Sequence, residues 1–246
     1  MPRGVSPVDE ARLQGRLWSP NVFRLAAWYD AADLSTITTV SGGVSDWRDK
    51  SGNGRNLTAI GAGPRPIYTA NGFNNRPAIN YGTDGTTLNS GMSWTGTAFN
   101  PVRAFGVAHW EGPNPFTAYS ALMSYPYAGI DDLVLAEAPN GWFAARQVFL
   151  NGNDPIATPL PTISTPFLWV DGVAPVGSKT TLWIGSDRGA GGRAWRGKIA
   201  EVVITLFAPS LRDRRTIEGY LAWKWGLNAN LPANHPFRNR PPLIGA

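Results

Sequence analysis

The stretch Trp195-Arg196-Gly197-Lys198-Ile199-Ala200-Glu201-Val202-Val203-Ile204-Thr205-Leu206-Phe207, followed by Ala208-Pro209-Ser210-Leu211-Arg212-Asp213, decides the fold class. Ile199, Val202, Val203 and Ile204 give the first block β-branched weight, so it reads as a long strand. Lys198 and Glu201 interrupt its apolar run, which calls for an exposed end or a paired charge. The second block opens a helix. Ser210 and Asp213 have capping-box spacing, with Asp in place of the commoner Glu. Ile217, Tyr220, Leu221 and Lys224 then recur at three and four residues, and Gly226 stands where a C-terminal cap belongs. The spacing predicts a helix from Leu211 to about Trp225, with Tyr220, Trp223 and Trp225 docking its end on the rest of the protein.

Upstream, short β-type runs alternate with turn chemistry. Arg24–Tyr29, Pro77–Tyr81, Val102–Trp110, Ala121–Tyr125, Leu133–Glu137, Trp142–Leu150, Phe167–Val170 and Thr180–Ile184 are the predicted strands. Glycine, proline or asparagine punctuates nearly every gap, and no strand–helix alternation suggests a parallel sheet. The fold class is therefore all-β: a two-sheet antiparallel sandwich with one C-terminal helix and an extended tail. Residues 1–20 read as an N-terminal arm, with a short polar helix conceivable over Val8–Leu17, and residues 21–246 as one domain.

Composition removes several function classes. With 43% hydrophobic and 16% charged residues over 246 positions, the chain can bury a large core. Cysteine is absent, which excludes disulfides, thiolate metal sites and thiol catalysis, and two histidines, His109 and His235, make a histidine-rich metal site improbable. The net charge of +5 is scattered rather than gathered into a stripe, so nucleic acid is not an expected partner. No window is long and apolar enough to span a membrane. The opening MPRGVSPVDEARLQGRLWSP lacks the apolar core of a signal peptide.

Four blocks carry a family resemblance. They are Leu17-Trp18-Ser19-Pro20 with Ala26-Ala27-Trp28-Tyr29-Asp30-Ala31; Val44 to Asn56, containing Asp46-Trp47-Arg48-Asp49-Lys50-Ser51-Gly52-Asn53-Gly54; Gly197 to Ile204; and Ile217-Glu218-Gly219-Tyr220-Leu221-Ala222-Trp223-Lys224-Trp225-Gly226-Leu227. Asn80-Tyr81-Gly82, Leu88 and the tail Leu231-Pro232-Ala233-Asn234-His235-Pro236 complete the pattern. The set resembles the concanavalin A-like (laminin-G-like) jelly-roll domains of bacteriophage and prophage structural proteins, over about residues 17–242. The resemblance implies a jelly roll in a virion protein assembled in the host cytoplasm. It also implies a homo-oligomer, often a trimer in spikes and fibres, with other virion proteins as partners.

The residues also bear on chemistry directly. Ser51-Gly52-Asn53-Gly54 suits a tight turn, because glycine and asparagine tolerate positive φ. Asp46 and Asp49 flank it, either accepting backbone hydrogen bonds or helping to hold calcium, the one cofactor the sequence leaves open. Retaining glycosidases need two carboxylates close together. Glu10, Glu111, Glu137, Glu201 and Glu218 are far apart in sequence, and Asp131-Asp132 with Glu137 has the wrong spacing, so the expectation is no enzyme. Sugar recognition stacks rings on aromatic faces. The glycine-rich loop Gly185–Arg193 offers Asp187, Arg188 and Arg193 as rim ligands, with Trp110 and Trp142 as stacking platforms; the plainer readings are a hairpin connection and core packing. The expectation is a phage virion surface protein, whether spike, fibre or decoration, that binds host cell-surface glycan through a lectin-like domain. The alternatives are a structural capsid or tail decoration subunit without a glycan ligand and, third, a carbohydrate-binding module of bacterial origin.

Overall fold

A computed structural model describes residues 17–61, 63–82, 91–112, 120–125, 133–137, 141–142, 148–153, 165–171, 177–187 and 194–244, with only the backbone of 133–137 and 141–142. The chain is mostly β, in two antiparallel sheets that share one core, with a helix near the C-terminus. One sheet runs, in spatial order, β12 (Val148–Leu150), β13 (Phe167–Asp171), β8 (Arg103–Trp110), β15 (Gly197–Thr205), β6 (Arg76–Asn80) and β5 (Ile67–Phe73). The seventh strand, β1 (Leu25–Asp30), shares an edge of β15 with β6: β6 takes Lys198 and Ile199, and β1 takes Glu201 to Thr205. The long strand of the deciding stretch is thus central, with β8 along its other edge.

The second sheet has the order β11 (Gly141–Trp142), β10 (Leu133–Glu137), β9 (Ser120–Ser124), β14 (Lys179–Ile184), β7 (Met92–Phe99), β4 (Leu57–Ala59), β3 (Gly43–Trp47) and β2 (Ile37–Val40). Paired residues in neighbouring strands point to the same face. One face therefore carries Ala59, Met92, Ile184 and Met123 in a row, with Trp47 and Leu57 beside it, all but Ala59 fully buried. Tyr29 of β1 meets Trp47 across the sandwich at 5.7 Å between ring centroids, joining the two sheets.

The helix α1 (Leu211–Lys224) packs on β8 and β13, so the seven-stranded sheet is covered on both sides. This is why β1, β13 and β15 are buried nearly throughout and are predominantly apolar. The Ser210/Asp213 capping box forms reciprocally. At the other end Leu227 N–H donates to Ala222 O (2.7 Å) and Gly226 N–H to Trp223 O (3.4 Å), a Schellman closure that places Gly226 at φ 70°.

Beyond the helix, the tail folds back along it. Trp223 Nε1 donates to Phe237 O (2.7 Å), and a Cβ on Gly219 would stand 2.6 Å from Phe237 Cβ, so that helix position must be bare. His235 is buried, and its Nδ1 accepts from Phe237 N–H. The proton of the neutral ring therefore sits on Nε2, which donates to Glu218 at 3.2 Å. Of the predicted arm, residues 1–16 lie outside the described residues. Leu17 forms an antiparallel bridge with Leu243, and Trp18 packs edge-on against Phe23 and Tyr220. Among the described residues no helix is long and apolar enough to cross a membrane.

Candidate functional site

Two sets of polar groups stand out, and they have opposite characters. The first is buried. Glu201 has no exposure and Asp30 is 4% exposed, yet both carry carboxylates. Glu201 Oε1 accepts from Trp28 Nε1 (2.7 Å) and Tyr220 OH (3.0 Å), and Oε2 from Trp225 Nε1 (2.6 Å) and Lys224 Nζ (2.7 Å). Lys224 Nζ reaches Asp30 Oδ1 at 2.7 Å and donates to Tyr220 OH at 3.0 Å, while Lys50 bridges Asp30 and Asp33. Burial pushes the Glu201 carboxyl above its ordinary value, against the pull of the Lys224 ammonium. Burial would also raise Asp30, but Lys224 and Lys50 outweigh it and hold that carboxyl low.

Every lone-pair position of Glu201 and every proton of Lys224 is thereby committed. The cluster has nothing left to offer a substrate; it is a clamp between β1, β15, α1 and the 47–56 loop. All four of the blocks that carry the sequence resemblance meet here. The Glu201 that interrupts the strand is a paired charge, and Lys198 likewise pairs with Glu111.

Asp49 belongs to the same loop. Its Oδ1 accepts from Trp28 N–H (2.9 Å) and Ser51 N–H (2.8 Å), and its Oδ2 from Ser51 Oγ (2.8 Å) and Arg55 N–H (3.1 Å). Gly52 and Gly54 take φ 85° and 69°, as the Ser51–Gly54 turn requires. Asp46 lies on β3 and accepts from Ser45 Oγ at 2.7 Å. The two carboxylates thus serve different neighbours, and among the described residues no three His, Asp or Glu side chains gather as a metal site.

The second set lies on the face of the eight-stranded sheet turned away from the core. The registers place Thr38, Asp46, Thr58, Ser93, Trp183 and Ser124 in one row across β2, β3, β4, β7, β14 and β9. Thr95 and Thr181 form a second row, their hydroxyls 3.1 Å apart. Thr38, Thr58 and Thr95 are exposed, and Asp46, Ser93, Thr181 and Trp183 are half-buried. From Asp46 to Trp183 is three strand steps, about 14 Å. Ser124 is buried, and its Oγ donates to Ser186 O (3.0 Å), so the loop after β14 closes that end of the row.

The predicted glycan ligands fare unevenly. Asp187 lies in that closing loop but is only 7% exposed. Arg188 and Arg193 lie outside the described residues, and so do Asp131 and Asp132. Trp110 is 5% exposed and packs edge-on against Trp195 at 5.1 Å, which gives it the core role rather than the stacking one. Of Trp142 only the backbone, in β11, is described. The residue that sequence reasoning passed over is Trp183. In Thr181-Leu182-Trp183-Ile184 the buried Leu182 and Ile184 alternate with the half-buried Thr181 and Trp183, and that period of two was the available signal.

Comparison with protein-family models and with curated proteins gives no match.

Proposed function

We propose that this chain is a lectin-like surface protein of a bacteriophage particle, and that the open face of its eight-stranded sheet binds host cell-surface glycan. The observation that carries the reading is Trp183, half-buried in a field of Thr58, Ser93, Thr95, Thr181 and Asp46 side chains. A pyranose has one apolar face and a rim of hydroxyls. The indole meets the first, and the hydroxyls of Ser93 and Thr181 beside it on the same face meet the second, with Asp46 farther along the row. The virion setting rests on the resemblance of the four sequence blocks. Other virion proteins and further copies of the chain are its proposed partners, and the jelly-roll connectivity of concanavalin A-like domains is part of the same proposal.

The test is binding of labelled protein to polysaccharide-bearing cells, with Trp183→Ala compared against the unsubstituted chain. Trp183→Ala should weaken saturable binding at least tenfold, about 1.4 kcal/mol, with unchanged thermal unfolding. Undiminished binding by the variant would remove the face from the account. One observation favours the decoration-subunit reading: the motif residues Glu201, Glu218, Tyr220, Lys224 and Trp225 are all spent on packing. Incorporation into particles without glycan binding by either protein would establish that alternative.

A further inference from the structure

A cleft of about 620 Å³ opens between Leu17–Ser19, the start of β6 and the C-terminal end of α1. Its size falls in the range of small-molecule sites, about 300–1,000 Å³. Trp18, Tyr220 and Trp223 supply aromatic wall, and Ser19, Arg76 and Asn228 supply polar groups. No acidic side chain lines it.

Its two cations differ. The Lys224 ammonium is neutralised by Asp30 and Glu201, as described above. Arg76 has no carboxylate partner among the described residues: Nε donates to Lys224 O and Nη1 to Asn74 O, both neutral carbonyls, and Nη2 is uncommitted. The C-terminal end of a helix ordinarily repels an anion. Here its last carbonyls are already occupied, Lys224 O by Arg76 Nε and Trp225 O by Asn74 Nδ2 at 3.0 Å. What remains is a guanidinium edge beside aromatic rings, in a pocket free of competing carboxylates.

We propose that this cleft is a second ligand site, distinct from the sheet face, that takes a ring bearing a carboxylate: an acidic sugar unit. The ring packs against Trp18 and Trp223, and the carboxylate accepts from Arg76 Nη2 with charge assistance. Neutral sugars lack the charged contact and simple carboxylates lack the ring contact, so the site discriminates against both.

Tryptophan fluorescence titration of the whole chain with glucuronate, glucose and acetate tests this. Glucuronate should bind saturably, at least tenfold tighter than glucose or acetate, and should weaken as salt rises. Trp183→Ala should leave glucuronate binding unchanged, which separates this site from the sheet-face reading. Arg76→Gln should abolish the preference for glucuronate over glucose. Because Arg76 also clamps the helix end, the wild-type comparison of the three ligands decides the matter if that variant fails to fold. Equal affinity for glucose, equal affinity for acetate, or no saturable glucuronate binding would each overturn the proposal.

Discussion

Replacing Lys224 with Met probes the clamp. The substitution keeps a long apolar stem and removes the ammonium, and with it bonds to Asp30, Glu201 and Tyr220. Asp30 retains Lys50 and the Ala32 N–H, so the damage falls on Glu201. That carboxylate, with no exposure, keeps three neutral donors and loses its cation. Breaking a buried ion pair on one side costs about 3–5 kcal/mol. For a domain of this size that corresponds to roughly 6–20 °C in Tm. The deficit should shrink on acidification, because Glu201, already raised by burial, escapes the cost by taking up a proton. Glu201→Gln/Lys224→Met removes both charges and should lose less than the sum of the two single variants. Urea unfolding of all four proteins at pH 5 and pH 8 measures this. A loss under 1 kcal/mol for Lys224→Met, or strict additivity, would refute the clamp.

Three further outcomes follow from the same contacts. Because Lys224 and Lys50 hold Asp30 below its ordinary value, the folded state binds fewer protons there than the unfolded state. That stability is complete above about pH 4 and is lost as pH falls through the lower folded value, so Asp30→Asn should flatten the acid limb of a stability–pH curve. Gly219→Ala sets a methyl against Phe237 and should cost about 1–3 kcal/mol, with faster proteolysis in the tail around Asn228–Arg238. Asp49→Ala should lower Tm through its four lost hydrogen bonds, whereas a calcium chelator should leave the Tm of the parent chain unchanged; a chelator-induced drop would restore the calcium reading of Asp46 and Asp49.

The parts of the fold most plainly legible in the sequence were those buried on two sides, although the apolar segments of β9, β10 and β14 in the other sheet were read as strands too. β8, β13 and β15 lie between the other sheet and α1, so most of their residues are apolar and announce themselves. The helix was legible at both ends because its capping box and Gly226 closure use local chemistry. The strands β2, β3, β4, β5 and β7 were not anticipated. A short Leu-Thr-Ala triplet such as β4 and the Ser, Thr and Gly of β7 look like loop composition when one face meets water. That same polarity hid the open face, which only strand register assembles into a row. Glu201 and Lys224 were legible as anomalies, a charge in an apolar strand and one on an apolar helix face. Their partnership was not, since 23 positions separate them in the chain and only the docked helix brings them to 2.7 Å.

The most direct measurement is a chemical-shift map of the indole N–H signals during titration with oligosaccharides released from the host surface. The account predicts that the Trp183 indole moves saturably, together with backbone amides of β4, β7 and β14, while the indoles of Trp28 and Trp225, bonded to Glu201, stay fixed. Saturable binding that leaves Trp183 and those strands unmoved would contradict it.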